Sequence, residues 1–144
     1  RFGAPYLRDS LLAAGALCET LETATNWSNV AALKAAVTEA LTTALAPALV
    51  MCHISHVYAT GASLYFTVVA AQRGNPIEQW QAAKSAATDA MVRTGGTITH
   101  HHAVGADHRP WMGDEIGDLG VEVLRAVKRT LDPAGILNPG KLIP

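Results

Sequence analysis

"ALVMCHISHVYATGASLYFTVVAAQ", residues 48–72, reads as two β segments joined by a turn. In the first segment Val50, Cys52, Ile54 and His56 fall on one face, and Met51, His53, Ser55 and Val57 on the other. "ATGAS" is the turn, with Gly61 supplying backbone freedom. "LYFTVVAA" (64–71) is rich in aromatic and β-branched residues, which pack well on a pleated surface.

The flanks alternate between strand and helix patterns. Upstream, "NWSNVAALKAAVTEALTTAL" (26–45) sets Val30, Leu33, Val37, Leu41 and Leu45 on one helical stripe. Asn26 or Ser28 is placed to cap that helix, and Pro47 ends it. Before it, "ALCETLETATNW" (16–27) alternates as a strand. Leu17, Glu19, Leu21 and Thr23 share one side; Cys18, Thr20, Glu22 and Ala24 share the other. The opening "RFGAPYLRDSLLAAG" (1–15) carries Pro5 in a first helical turn and Gly15 as a stop. It resembles neither a signal nor a transit peptide, and reads as the start of a piece of a longer protein. Downstream, "NPIEQWQAAKSAATDAMVRTGG" (75–96) is a helix with Asn75 as cap, Pro76 first and Gly95 as stop. Ile116, Leu119, Val123, Leu124, Val127 and Leu131 form the stripe of a last helix, and "DPAGILNPG" (132–140) makes turns. The order predicts an α+β fold, an antiparallel sheet with helices packed on one face.

Composition bounds the function. The 144 residues are 49% hydrophobic and 16% charged, which supports one packed core. A net charge of -1 and scattered basic residues argue against a nucleic-acid partner. No apolar run approaches the roughly 20 residues that cross a bilayer. Cys18 and Cys52 read as thiols in apolar surroundings, and the whole points to the cytoplasm. P-loop, GxGxxG, HExxH and CxxC motifs are absent.

The chemistry concentrates in "TITHHHAVG" (97–105), where His100, His101 and His102 are consecutive. An internal position with native-looking flanks excludes a tag remnant. As a metal site the run is poor: on an extended chain His100 and His102 converge and His101 turns away. A third ligand would have to come from His53, His56, His108 or an acid. Imidazoles titrate near neutral pH and donate to phosphate, so proton handling is the active reading. A surface loop is the bland one. Tyr65 is either a core tyrosine or an acid/base group. Arg8 is either a helix-surface cation or a phosphate fork. His53 and His56, three apart, are expected on opposite sides of their strand and read as structural.

"YLRD" (6–9), "LETATNW" (21–27), "GASLYFTVV" (61–69), "GGTITHHHAVG" (95–105) and "LRAVKRTLDPAGILNPGKLIP" (124–144) together resemble the C-terminal part of FAD-linked oxidases of the vanillyl-alcohol oxidase type. The resemblance spans nearly the whole chain. It is strongest to the branch that exchanges the acyl group of acyl-dihydroxyacetone phosphate for a long-chain alcohol. The resemblance implies that residues 1–144 are cap and terminal region of a flavoenzyme, ferredoxin-like in the cap, with residues 97–144 forming the histidine loop, last helix and tail. It implies FAD as cofactor and an N-terminal FAD-binding domain of the same protein as partner. A small-molecule or lipid substrate, a homodimer and association with membranes through the lipid are further implications. By resemblance, catalysis falls on Tyr65, His100, His101 and His102, substrate phosphate on Arg8, and cofactor contacts on His102, Asn138 and Lys141. The ending "PGKLI" (139–143) and "AVG" (103–105) depart from the branch's pattern. They keep open an alternative, oxidation of a 2-hydroxy acid or alcohol by the same flavin.

Overall fold

The computed structural model describes residues 4–144, so the first three residues of the "RFGAPYLRD" opening lie outside the described residues. In chain order the elements are α1 (Ala4–Ala13), β1 (Ala16–Asn26), α2 (Val30–Leu45), β2 (Ala48–Val57), β3 (Gly61–Ala71), α3 (Pro76–Arg93) and α4 (Met112–Leu131). The three strands form one antiparallel sheet in the order β1-β3-β2, so the expected α+β class holds. The strand densest in β-branched and aromatic residues, β3, is the central one, paired along both edges.

The two faces of the sheet have different chemistry. Leu64, Phe66, Val68 and Ala70 of β3, with Leu17 and Leu21 of β1, face the helices and are buried. Against them lies the α2 stripe Leu33, Val37, Leu41 and Leu45. The facing side of α3 is Ala83, Ala87 and Ala90 with Met91, small residues that let the two helices approach closely. The opposite face carries Cys18, Thr20, Glu22 and Ala24 of β1 beside Ser63, Tyr65 and Thr67 of β3, with α2 and α3 packed on the other side. Cys18 and Cys52 are both free thiols.

Helix ends follow local chemistry in α3 and depart from it in α2. The Asn75 side chain accepts hydrogen bonds from the amides of Ile77 and Glu78, and Gly95 takes the left-handed stop at φ +70°. Neither Asn26 nor Ser28 caps α2. A short 3₁₀ turn over 27–29 intervenes, and Asn29 at the cap position turns its amide to Thr25 Oγ1 and the Thr94 carbonyl. Those bonds join the end of α3 to the end of β1 instead.

The last helix is broken at Gly117 (φ +74°). Met112 and Val121 are buried with Ile98, but the stripe read from the sequence is open: Leu119 is 80% and Leu131 73% exposed, with Ile116, Val123 and Val127 also exposed. The periodicity is real, and nothing among the described residues covers the exposed part of the stripe. No helix among those residues is long and apolar enough to cross a membrane.

Truncating the seam between α2 and the sheet tests this arrangement. Leu41→Ala should lower the unfolding free energy by about 2–5 kcal/mol, whereas Leu119→Ser should change it by less than about 1 kcal/mol. Urea unfolding of the chain reads both.

Candidate active site

The histidine loop is strapped to the end of β1. Thr97 N–H donates to the Ala24 carbonyl (3.0 Å), Ala24 N–H donates to Thr97 Oγ1 (3.0 Å), and Thr23 Oγ1 donates to the Thr97 carbonyl (2.6 Å). Ile98 N–H donates to Glu115 Oε2 at 2.9 Å and its side chain is fully buried against Met112 and Val121. Gly96 makes the strap possible: a Cβ there would stand 2.8 Å from both Leu33 methyls and from Thr23 Oγ1. The pair Gly95-Gly96 therefore does two jobs, stopping α3 and letting the chain pass close over Leu33.

From this anchor the imidazoles descend onto the sheet face opposite α2 and α3. Their focus is a residue that the sequence reading passed over, Glu22, a carboxylate only 4% exposed. His56 Nδ1 lies 3.5 Å and His100 Nδ1 3.4 Å from its Oε1, and His102 Nε2 lies 3.7 Å from its Oε2. The Ser55 hydroxyl donates to Oε1 and sits 2.6 Å from Ser63 Oγ. Burial alone would raise the Glu22 carboxyl; the hydroxyls of Ser55 and Ser63 and the His100 imidazole outweigh it and hold the group below its ordinary value. The signal in the sequence was an acid alternating with Cys18, Thr20 and Ala24, small uncharged neighbours on one strand face.

Two aromatic hydroxyls flank the cluster. The Tyr58 hydroxyl is 2.9 Å from His100 Nε2. Tyr65 stands edge-on to His102, centroids 5.8 Å apart, and tilted against His53 at 5.3 Å. The structure thus brings Tyr65, His100, His101 and His102 together on one face.

The expectation that His53 and His56 face opposite sides is overturned. A bulge between Ile54 and Val57 shifts the β2–β3 register by one residue. His53 pairs across with Tyr65, and the bulged His56 comes round to the same face, its Nδ1 3.2 Å from Ser63 Oγ. His56 stacks on His101 at 4.5 Å. The geometric objection to His101 also falls. The loop is not extended: His101 and Ala103 both adopt the left-handed region at φ +59°, which folds His101 back against His100, ring centroids 4.2 Å apart.

The other predicted positions lie apart. Arg8 donates to the Cys18 carbonyl at 3.1 Å and pairs with Glu19, on the α1 side of β1, away from the cluster. Its pairing with Glu19 raises the Arg8 pKa further above its already high value. Lys141 shares a cleft of about 320 Å³ with His102, Lys84, Asp107 and His108. There the Lys84 ammonium, 2.9 Å from Asp107, lowers the Asp107 carboxyl, and burial lowers His108. Asn138 (φ +45°) lines a second cleft with Arg125, Lys128 and Arg129, which Lys141 also borders.

The sheet thus has one packed face and one face of imidazoles, hydroxyls and a buried carboxylate. The sequence matches the family described as FAD linked oxidases, C-terminal domain, over residues 1–142, and the chain belongs to that family. Among its relatives are alkyldihydroxyacetonephosphate synthases of Dictyostelium discoideum, 36% identical over 100% of this chain and 24% of the relative, and of Trypanosoma brucei brucei, 34% identical over the same shares. A solved alkyldihydroxyacetonephosphate synthase superposes with a TM-score of 0.64 at 29% identity, covering 96% of this chain and 23% of that one. The chain spans about a quarter of the length of the curated relatives it matches.

The depressed Glu22 carboxyl fixes a pH dependence. Its contribution to stability is complete above the ordinary glutamate range and is lost as pH falls through the lowered value of the folded state. Glu22→Gln should flatten the acid limb of unfolding free energy measured between about pH 3 and pH 6. Gly96→Ala, which crowds Leu33, should cost about 1–3 kcal/mol in the same assay.

Proposed function

We propose that this chain is the C-terminal part of an FAD-dependent synthase that replaces the acyl group of acyl-dihydroxyacetone phosphate with a long-chain alcohol. The observation that carries the reading is the Glu22-anchored cluster of His100, His101 and His102 beside Tyr65, on the sheet face opposite α2 and α3. The whole-chain similarity to synthases supports it.

The donor set fits a flavin. His102 and Lys141 line one cleft and can offer N–H donors there, suited to the electron-rich carbonyl edge or the phosphates of FAD, and the Thr99 hydroxyl is buried without a hydrogen-bond partner. His102, Lys141 and Asn138 are the residues proposed to hold the cofactor. When bound, a flavin supplies an electrophilic ring that accepts electron density from the substrate carbon. The polypeptide supplies the proton chemistry. The exchange removes a proton from the carbon beside the ketone, releases a carboxylate and consumes an alcohol, with no net redox change. Imidazole nitrogens are the groups placed to take and return these protons, and the Glu22 carboxylate stands beside those of His100 and His102. Tyr65, in contact with His102, is placed to donate to the departing carboxylate. Arg8 serves the substrate phosphate by exchanging its Glu19 partner for it.

That sheet face and the apolar stripe of α4 together form the surface proposed to meet an N-terminal FAD-binding domain of the same protein. The lipid substrate carries the proposal to a membrane surface, with the protein itself cytoplasmic.

In the complete protein, acyl-dihydroxyacetone phosphate and a long-chain alcohol should give the alkyl product while the flavin absorbance persists. Tyr65→Phe and His101→Ala should each lower turnover at least about 100-fold. Arg8→Met should raise KM for the phosphorylated substrate more than it lowers kcat. Flavin bleaching by a 2-hydroxy acid, with electrons passed to an acceptor dye, would replace this reading with the oxidoreductase one.

A further inference from the structure

His56, His100 and His101 offer ring nitrogens that all lie within 4.8 Å of one another. Two of the three rings are exposed, so a small rotation about their side-chain bonds brings the nitrogens to one ion. The bulge in β2 and the left-handed turn at His101 are the two backbone departures that create this meeting. A regular strand and an extended loop would have separated the same residues.

We propose that these three histidines form a binding site for one divalent transition-metal ion of the zinc class. Three neutral imidazoles suit zinc, copper or nickel, and are poor ligands for magnesium or calcium, which take oxygen donors. The site has the surroundings that such ligands need. The Nδ1 atoms of His56 and His100 both turn toward Glu22 Oε1, at 3.5 and 3.4 Å, which leaves their Nε2 atoms for the metal. A carboxylate behind a ligating imidazole fixes its tautomer and raises its basicity. Ser63 Oγ, 3.2 Å from His56 Nδ1, holds the same ring from the other side. The Tyr58 hydroxyl on His100 Nε2 is the one contact that the ion displaces. Three protein ligands leave an open position for water or an added ligand.

Binding stands on this geometry alone. Its consequence rests on the proposed function: an ion held by His100 and His101 withdraws their lone pairs from proton transfer, so occupancy lowers turnover.

The test is calorimetric titration of Zn²⁺ into the complete, tag-free protein after chelator treatment, with Co²⁺ difference absorption as a second readout. One saturable equivalent is expected, together with ligand-field bands that Zn²⁺ abolishes. His56→Ala and His101→Ala should each weaken binding at least about tenfold, and Glu22→Gln, which removes the carboxylate behind two ligands, by about tenfold. His53→Ala, a histidine of the same strand outside the trio, should bind as the parent does. Absence of a saturable equivalent, or equal affinity in His56→Ala and His101→Ala, overturns the site whether or not the synthase reading survives. Alkyl product that forms at the same rate with the site filled separates the two conclusions, since it leaves binding intact and removes His100 and His101 from the proposed proton transfer.

Discussion

A carboxylate in the middle of a strand, with almost no access to water, persists only where its charge is answered from every side. Glu22 is answered by Ser55 and His56 from β2, the opposite edge strand, and by His100 and His102 from the loop after α3. Transfer of an unpaired carboxylate out of water would cost many kcal/mol, so these groups are held to one another by the penalty of separating them. The demand reaches across β1, the bulge of β2 and the loop after α3, and it sets where each must stop. The strap from Thr97 to Ala24 and the passage over Gly96 are the backbone's side of the same constraint.

The sheet divides its labour by face. The helix side is an ordinary core, with leucines and valines of α2 and β3 interdigitated over the alanines of α3. The other side is a polar platform whose rigidity comes from that core. Residues that alternate along one strand thus serve two purposes: Leu21 and Phe66 fix the position of the sheet, and Glu22 and Tyr65, one step away, inherit it. A reactive cluster placed on strands in this way is held more closely than one carried by loops alone.

Most of the fold was legible because its periodicities are strong. The α2 stripe, the Asn75-Pro76 start and Gly95 stop of α3, and the β3 strand are each dictated by local chemistry, and each stands where local chemistry puts it. His100 and His102 do both reach Glu22, but through a folded loop and not by the period of two of an extended chain. What stayed hidden depends on departures from period. No residue in "CHISHVY" announces a bulge, because bulged positions accept ordinary side chains, and the left-handed turn at His101 carries no glycine to mark it. The importance of Glu22 was hidden for another reason: one sequence gives the face of a side chain but not what is laid over it. The α4 stripe shows the reverse case, a clear amphipathic pattern that nothing among the described residues covers.

The bulge at Ser55-His56 has a consequence for how this segment tolerates change. A substitution along β2 alters one side chain. Removing a single residue between Ile54 and Val57 would restore a regular pleat, with Val57 still opposite Ala62 and one residue left to face Ser63 where Ser55 and His56 now both do. Either the Ser55 hydroxyl or the His56 imidazole would then be missing from around Glu22. Length in this stretch is therefore inherited together with the site, and sequences that share the cluster should keep the count of residues between its two turns.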